Sequence, residues 1–195
     1  MIIDAIKFVI DAIFSLFILA ALVRFWMQAL RASARNPIAQ FTIALTDWAV
    51  RPLRRVVPGL FALDLASLVA AWLGEFALQL LLLAVSGFSP FETPAVLSVL
   101  LFLAFVKMIR LSIYVFMGAV ILQAVLSWVN PYHPLAPFFE ALTRPFLKPV
   151  QKAIPPIGGV DITPVVVLIF FQLLLMVPVT WLEQESVRIV QRALL

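Results

Sequence analysis

Two ionisable side chains, Arg24 and Glu75, lie inside long apolar runs, where a charge can do chemistry or cost stability. An unpaired charge near the centre of a bilayer costs several kcal/mol, so each needs a partner. Arg24 lies nine residues before Ser33, taken as the inner end of its run, and Glu75 lies eleven residues after Asp64, the start of the next. At 1.5 Å per residue both fall roughly 13–17 Å deep, and the expectation is a buried Arg24–Glu75 ion pair. Such a pair would either lock two helices together or act as an ion relay or gate. Gln123 and Gln172 are the corresponding polar residues of the second half of the chain, expected to bond across helices there.

Other candidates carry less. Asp11, Lys107 and Arg110 form a polar band expected near the outer interface, where they bridge helices or snorkel to the headgroups. Asp64 and Asp161 each stand at the start of an apolar run, where a carboxylate caps a helix N-terminus, the second with Pro164 in the first turn. His133 is the only histidine and cysteine is absent, so His-based and Cys-based metal centres and thiolate catalysis are excluded. Ser127 and Thr143 have no base at readable spacing, and Gly158-Gly159 reads as a turn rather than a phosphate loop. No catalytic, cofactor-binding or metal site is expected, and the chain reads as a non-enzyme.

The elements that would position these residues are membrane spans. The chain is 64% hydrophobic and 12% charged, with a mean hydropathy of +1.11, far from the near-half apolar, quarter-charged balance of soluble domains. Four runs, Ile2–Leu30, Leu63–Val85, Ala95–Val129 and Val160–Leu182, each reach the ~20 residues that cross a bilayer as a helix. Asp4, Lys7 and Asp11 do not make the positive start of a signal peptide, so the first run reads as a retained span.

A shift of 97 positions lays the second half on the first. Ten identities then fall among the 33 pairs from Pro37 to Val69, among them Pro37/Pro134, Phe41/Phe138, Thr46/Thr143, Pro52/Pro149 and Asp64/Asp161. Arg24 and Glu75 map to Ile121 and Gln172, so both charges are replaced together. The fold class that follows is an all-α membrane protein: four transmembrane helices as two parallel helical-hairpin repeats, residues 1–90 and 91–195.

Each hairpin is joined by a basic loop. The first loop carries Arg31, Arg35, Arg51, Arg54 and Arg55, the second Arg144, Lys148 and Lys152. Positive charge marks cytoplasmic loops, so both loops are expected inside and both termini outside. Ile38, Phe41, Leu45 and Trp48, and again Leu135, Phe138, Leu142 and Phe146, recur at helical spacing. They predict an amphipathic interfacial helix in each loop with its aromatics in lipid, ended by prolines. Arg51, Arg54, Arg55, Arg144, Lys148 and Lys152 are then candidates for binding anionic lipid headgroups or docking a partner. The tail from Glu183 to Leu195 has a similar amphipathic pattern and is expected on the outer surface.

The second loop carries a resemblance. Ser127-Trp128-Val129-Asn130-Pro131, His133-Pro134-Leu135, Leu142-Thr143-Arg144-Pro145-Phe146-Leu147-Lys148-Pro149, Ile154-Pro155 and Gly158-Gly159-Val160-Asp161-Ile162-Thr163-Pro164 together resemble the signature of the YggT family, also called YlmG. In the first unit, Asp47-Trp48-Ala49-Val50 stands in place of Arg-Pro-Phe-Leu, and Phe61-Ala62 in place of Gly-Gly. The resemblance implies a bacterial inner-membrane or plastid thylakoid protein without an agreed biochemical activity. Family members are associated with cell division or nucleoid organisation, with cytochrome maturation, and with osmotic tolerance.

The expected function is a non-enzymatic inner-membrane scaffold or assembly factor, because most distinctive residues lie in the loops rather than in a cavity. The alternative is a small ion channel or transporter subunit built around Arg24 and Glu75. Anionic lipids and other membrane, division or assembly proteins are the expected partners, without direct nucleic-acid binding, and homo-oligomerisation is left open. Dry packing around Glu75 favours the scaffold, and a wet cavity favours transport.

Overall fold

The computed structural model describes residues 1–59, 63–88, 94–154 and 161–194, and these contain four helices long and apolar enough to cross a membrane. The first unit is α1 (Ile2–Ala29), α2 (Pro37–Leu53) and α3 (Leu65–Val85); the second is α4 (Pro94–Val129), α5 (Ala136–Ala153), α6 (Thr163–Leu174) and α7 (Thr180–Leu194). The Pro155 and Gly158-Gly159 turn lies outside the described residues.

Helix ends follow local chemistry. The α1 helix stops at Ala29, and Arg31 turns into the left-handed region at φ 55° while the Ala32 amide bonds back to the Met27 carbonyl at 2.8 Å. The Asn36 side chain caps α2 by accepting from the Ala39 amide at 2.9 Å, with Pro37 in the first turn.

In the first unit α1 packs on α3 through small residues. Ala21 and Ala71 are fully buried beside Ile18 and Leu22, and a Cβ on Gly74 would lie 3.2 Å from Ile18 Cγ1. Without a hydrophobic drive between helices in lipid, such close backbone approach supplies the attraction. The second unit packs with bulk instead. Phe116 of α4, Phe146 of α5 and Phe171 of α6 form one cluster, with ring centroids 4.6 Å and 5.0 Å from Phe146. Trp26 of α1 joins the units, its ring 4.8 Å from Phe116 and its Nε1 donating to Ser112 at 3.1 Å.

Two expectations are corrected. The fourth helix does not end near Leu182: a π-helical turn, Leu175–Val179, passes it into α7 without a break. Pro178 brings no N–H to this turn, and the Thr180 hydroxyl donates to the Leu175 carbonyl at 2.8 Å. The amphipathic tail therefore packs on α4, with Val190 against Val96, Leu100 and Leu103, rather than forming a separate surface segment. Pro145 and Pro149 lie inside α5, which runs on to Ala153.

The two loop helices also present different faces. In α2 the stripe holding Phe41 and Trp48 is exposed, at 56% and 72%, and its buried face is Ala39, Thr42, Thr46 and Val50. In α5 the stripe is buried: Phe138, Phe139 and Leu142 pack with Met27 and Ala119, so Phe138 does not face lipid.

Candidate functional site

Arg24 sits one turn from the end of α1, over the small buried face of α2 and the start of α3. Arg24 is 6% exposed, and its guanidinium donates to the Thr46 hydroxyl at 2.9 Å and to Asp47 Oδ1 at 2.8 Å, and lies 3.6 Å from Asp64 Oδ2. Arg54 grips Asp64 through both carboxylate oxygens, at 3.2 and 2.5 Å, and the Ser67 hydroxyl donates to Asp64 at 2.6 Å. Arg51 closes the set on Asp47 at 2.6 Å.

Three arginines thus alternate with two carboxylates, and Arg24, Asp47, Arg51 and Arg54 of this set line a cleft of about 530 Å³ together with Arg31, Gln28 and Ala34. The Arg24 hydrogen bond, aided by the charges of Arg24 and Arg51, overcomes burial and holds the Asp47 carboxyl below its ordinary range. Burial pushes the Asp64 carboxyl up, but the donors on Arg54 and Ser67 and the charges of Arg54 and Arg24 outweigh it, and Asp64 also titrates low. Asp64 in turn raises Arg54.

The expected Arg24–Glu75 pair does not form. Arg24 bonds at the level of Asp64, and Glu75 is eleven residues further along α3, about 16 Å away along the axis. Glu75 instead meets Lys107 of the second unit at 3.4 Å, with Gln79 Nε2 also 3.4 Å away. The Lys107 side chain is 38% exposed while that of Glu75 is 9% exposed, and Gln79 Oε1 is buried without a partner. Lys107 therefore bridges the units to Glu75 rather than to Asp11, which lines a separate shallow cleft with Asp4 and Lys7. Arg110 binds Glu183 at 2.6 Å and Thr180 at 3.0 Å.

Gln123 and Gln172 do not meet either. Gln123 accepts from the Thr143 hydroxyl, and Gln172 points outward from α6. Asp64 stands at the N-cap of α3 but spends its oxygens on arginines and Ser67, not on a backbone amide. Asp161 does accept a first-turn amide, that of Thr163 at 2.9 Å, together with the Thr163 hydroxyl at 2.6 Å and Gln151 at 3.0 Å. Burial opposes these donors, but they hold the Asp161 carboxyl low. His133 Nδ1 accepts from the Leu135 amide at 3.2 Å within its own turn.

Arg51, Arg54, Arg55, Arg144, Lys148 and Lys152 are all exposed. Arg51 and Arg54 belong to the cluster, whereas Arg55, Arg144, Lys148 and Lys152 have no ion-pair partner among the described residues. The residue missed from sequence is Asp47. Its signal was present: Arg24 becomes Ile121 and Asp47 becomes Arg144 under the same 97-residue shift, so the pair vanishes as a unit.

The family described as CCB3/YggT matches residues 3–85 and 102–182, one segment in each unit. An uncharacterized protein of Vibrio alginolyticus, described as lying in the proC 3′ region, is 32% identical over 173 residues, covering 87% of this chain and 90% of its own. An uncharacterized protein of Pseudomonas aeruginosa is 33% identical over 160 residues, covering 81% and 80%. YggT of Escherichia coli K12 is 30% identical over 167 residues, covering 85% of both. No solved structure matches the chain.

Proposed function

The chain belongs to the CCB3/YggT family, and from that premise we propose that it acts as a non-enzymatic scaffold or assembly factor of the bacterial inner membrane, in cell division or in the biogenesis of membrane complexes. The observation that carries this reading is the division of labour among its charges. Glu75 with Lys107 and Arg110 with Glu183 are paired within the spans, whereas Arg55, Arg144, Lys148 and Lys152 are exposed without an ion-pair partner among the described residues. Between the Arg24 cluster and Glu75, Ile18, Ala21, Leu22 and Ala71 are packed to zero exposure, and this dry packing supports the scaffold over the channel. The basic loops face the cytoplasm in this reading, with the termini outside.

A photo-crosslinker at Arg144 or Lys148, activated in native membranes, tests it. Discrete protein adducts identified by mass spectrometry are expected, and lipid adducts alone would overturn it. In the same cells an impermeant maleimide should label a Gln191→Cys variant from outside; labelling only after lysis reverses the orientation. The channel reading keeps one specific support, the unpartnered Gln79 oxygen beside Glu75. Ion flux through proteoliposomes that is lost in Glu75→Gln would favour it.

A further inference from the structure

The α2 helix separates two clefts of opposite character. One is the arginine–aspartate cleft. The other is an apolar groove of about 430 Å³ among α1, α2 and α3, walled by Phe17, Trp48, Ala49, Ala70, Gly74 and Ala77. Four of these six residues are alanine or glycine. Their equivalents in the second unit are all larger: Ala49 becomes Phe146, Ala70 becomes Val167, Gly74 becomes Phe171 and Ala77 becomes Leu174. There the Phe146 and Phe171 rings meet edge to face at 5.0 Å and fill the corresponding space. The open groove is therefore a property of the first unit, not a requirement of the repeat.

The groove runs along Ala70–Ala77 of a helix apolar enough to span a bilayer, so what reaches it is hydrocarbon. Beyond Leu53, which lines its inner end, the chain continues directly into Arg54 and Arg55. Arg51 is taken up by Asp47 in the other cleft, whereas Arg55 is exposed without an acidic partner among the described residues. We propose that the first unit holds one anionic phospholipid, with an acyl chain in the groove and its phosphate against Arg55. This inference rests on α1 and α3 being bilayer spans, and not on the scaffold role.

Trp48 reports on the groove, because it lines it and is 72% exposed. The full chain is reconstituted in phosphatidylcholine nanodiscs containing a small fraction of phosphatidylglycerol with brominated acyl chains. The Trp48 emission is taken as wild type minus Trp48→Phe. Quenching is expected at a fraction where brominated phosphatidylcholine has little effect, the preference being about fivefold. Arg55→Gln should bring the two lipids level. Ala49→Phe, which copies the second unit, should abolish the preferential quenching, and Ala77→Leu does the same at the outer end should the first variant fail to fold. Equal quenching of the wild type by both brominated lipids, or an undiminished preference in the groove-filling variants, would overturn the proposal. Absence of quenching by either lipid in any variant would instead refute the spanning assignment.

Discussion

The loop-helix ends of the two units use the same positions for different chemistry. Arg54 donates to Asp64 across ten residues, and Gln151 donates to Asp161 across the same ten. Thr46 accepts from Arg24 of the preceding span, while Thr143 donates to Gln123 of its own. The clasp between loop helix and return helix is thus common to both, but only the first unit charges it, adding Arg24 and Asp47 where the second has Ile121 and Arg144. The second unit invests in aromatic bulk, the first in close helix approach and ion pairs. Hydrogen-bond geometry and charge are therefore separable, and each can be exchanged between units.

The largest break in that comparison is Arg24→Ile, which gives the first unit the second unit's residue. Removing one partner of a buried pair typically costs about 3–5 kcal/mol. Asp47 and Asp64 keep Arg51 and Arg54, so a loss near the lower end, about 3 kcal/mol, is expected. Adding Asp47→Asn should recover part of it. Adding Glu75→Gln should recover nothing, because Glu75 shares no partner with Arg24. Unfolding midpoints of the singles and doubles in detergent measure this. Recovery with Glu75→Gln, and none with Asp47→Asn, would restore the mid-bilayer pair and refute the cluster.

A smaller and asymmetric effect is expected where the units meet. Lys107→Leu strands the Glu75 carboxylate, whose side chain is 9% exposed, and should cost about 2 kcal/mol. Glu75→Gln leaves a lysine that is 38% exposed and can extend toward water, and should cost about 1 kcal/mol. The double variant should lose less than the sum. Strict additivity would show that the 3.4 Å contact carries no coupling.

How much of this was legible follows from where the signals lie. The number of apolar spans, the 97-residue repeat and the loop helices are written in hydropathy and period, and they hold. The partner of Arg24 was missed because the helix end was placed near Ser33. The chain leaves α1 at Ala29 through Arg31 in a left-handed conformation, without the glycine that usually marks such an exit. A four-residue error is about 6 Å of depth, enough to lift Arg24 toward Glu75 on paper. The Glu75–Lys107 contact was illegible for another reason: the repeat aligns positions within units and says nothing about packing between them. The burial of Phe138 and the packing of the tail on α4 are tertiary choices of the same kind, since an amphipathic stripe fits protein as well as lipid.

The smallest effect tests whether charge is the only difference in the clasp. Arg54→Gln copies Gln151 and leaves Asp64 with Ser67 and Arg24. Because the Arg54 side chain is 47% exposed, solvent screens its share, and about 1 kcal/mol is expected at neutral pH. The sign with pH follows from the lowered Asp64 carboxyl. A carboxylate that titrates lower in the folded state than in the unfolded state stabilises fully above the unfolded value of about 3.9. That stability disappears as pH falls from there through the folded value. Arg54 is one cause of the lowering, so the gap between wild type and Arg54→Gln should be constant from pH 7 down to about pH 4 and close below it. The reverse change, Gln151→Arg, installs the charged clasp in the second unit at a more exposed site, and should add only a few tenths of a kcal/mol with the same pH signature. Acid-induced unfolding followed by circular dichroism distinguishes the outcomes. A gap for Arg54→Gln that persists unchanged to pH 2 would mean that Arg54 acts through packing of its stem, and that the two clasps differ in shape rather than in charge.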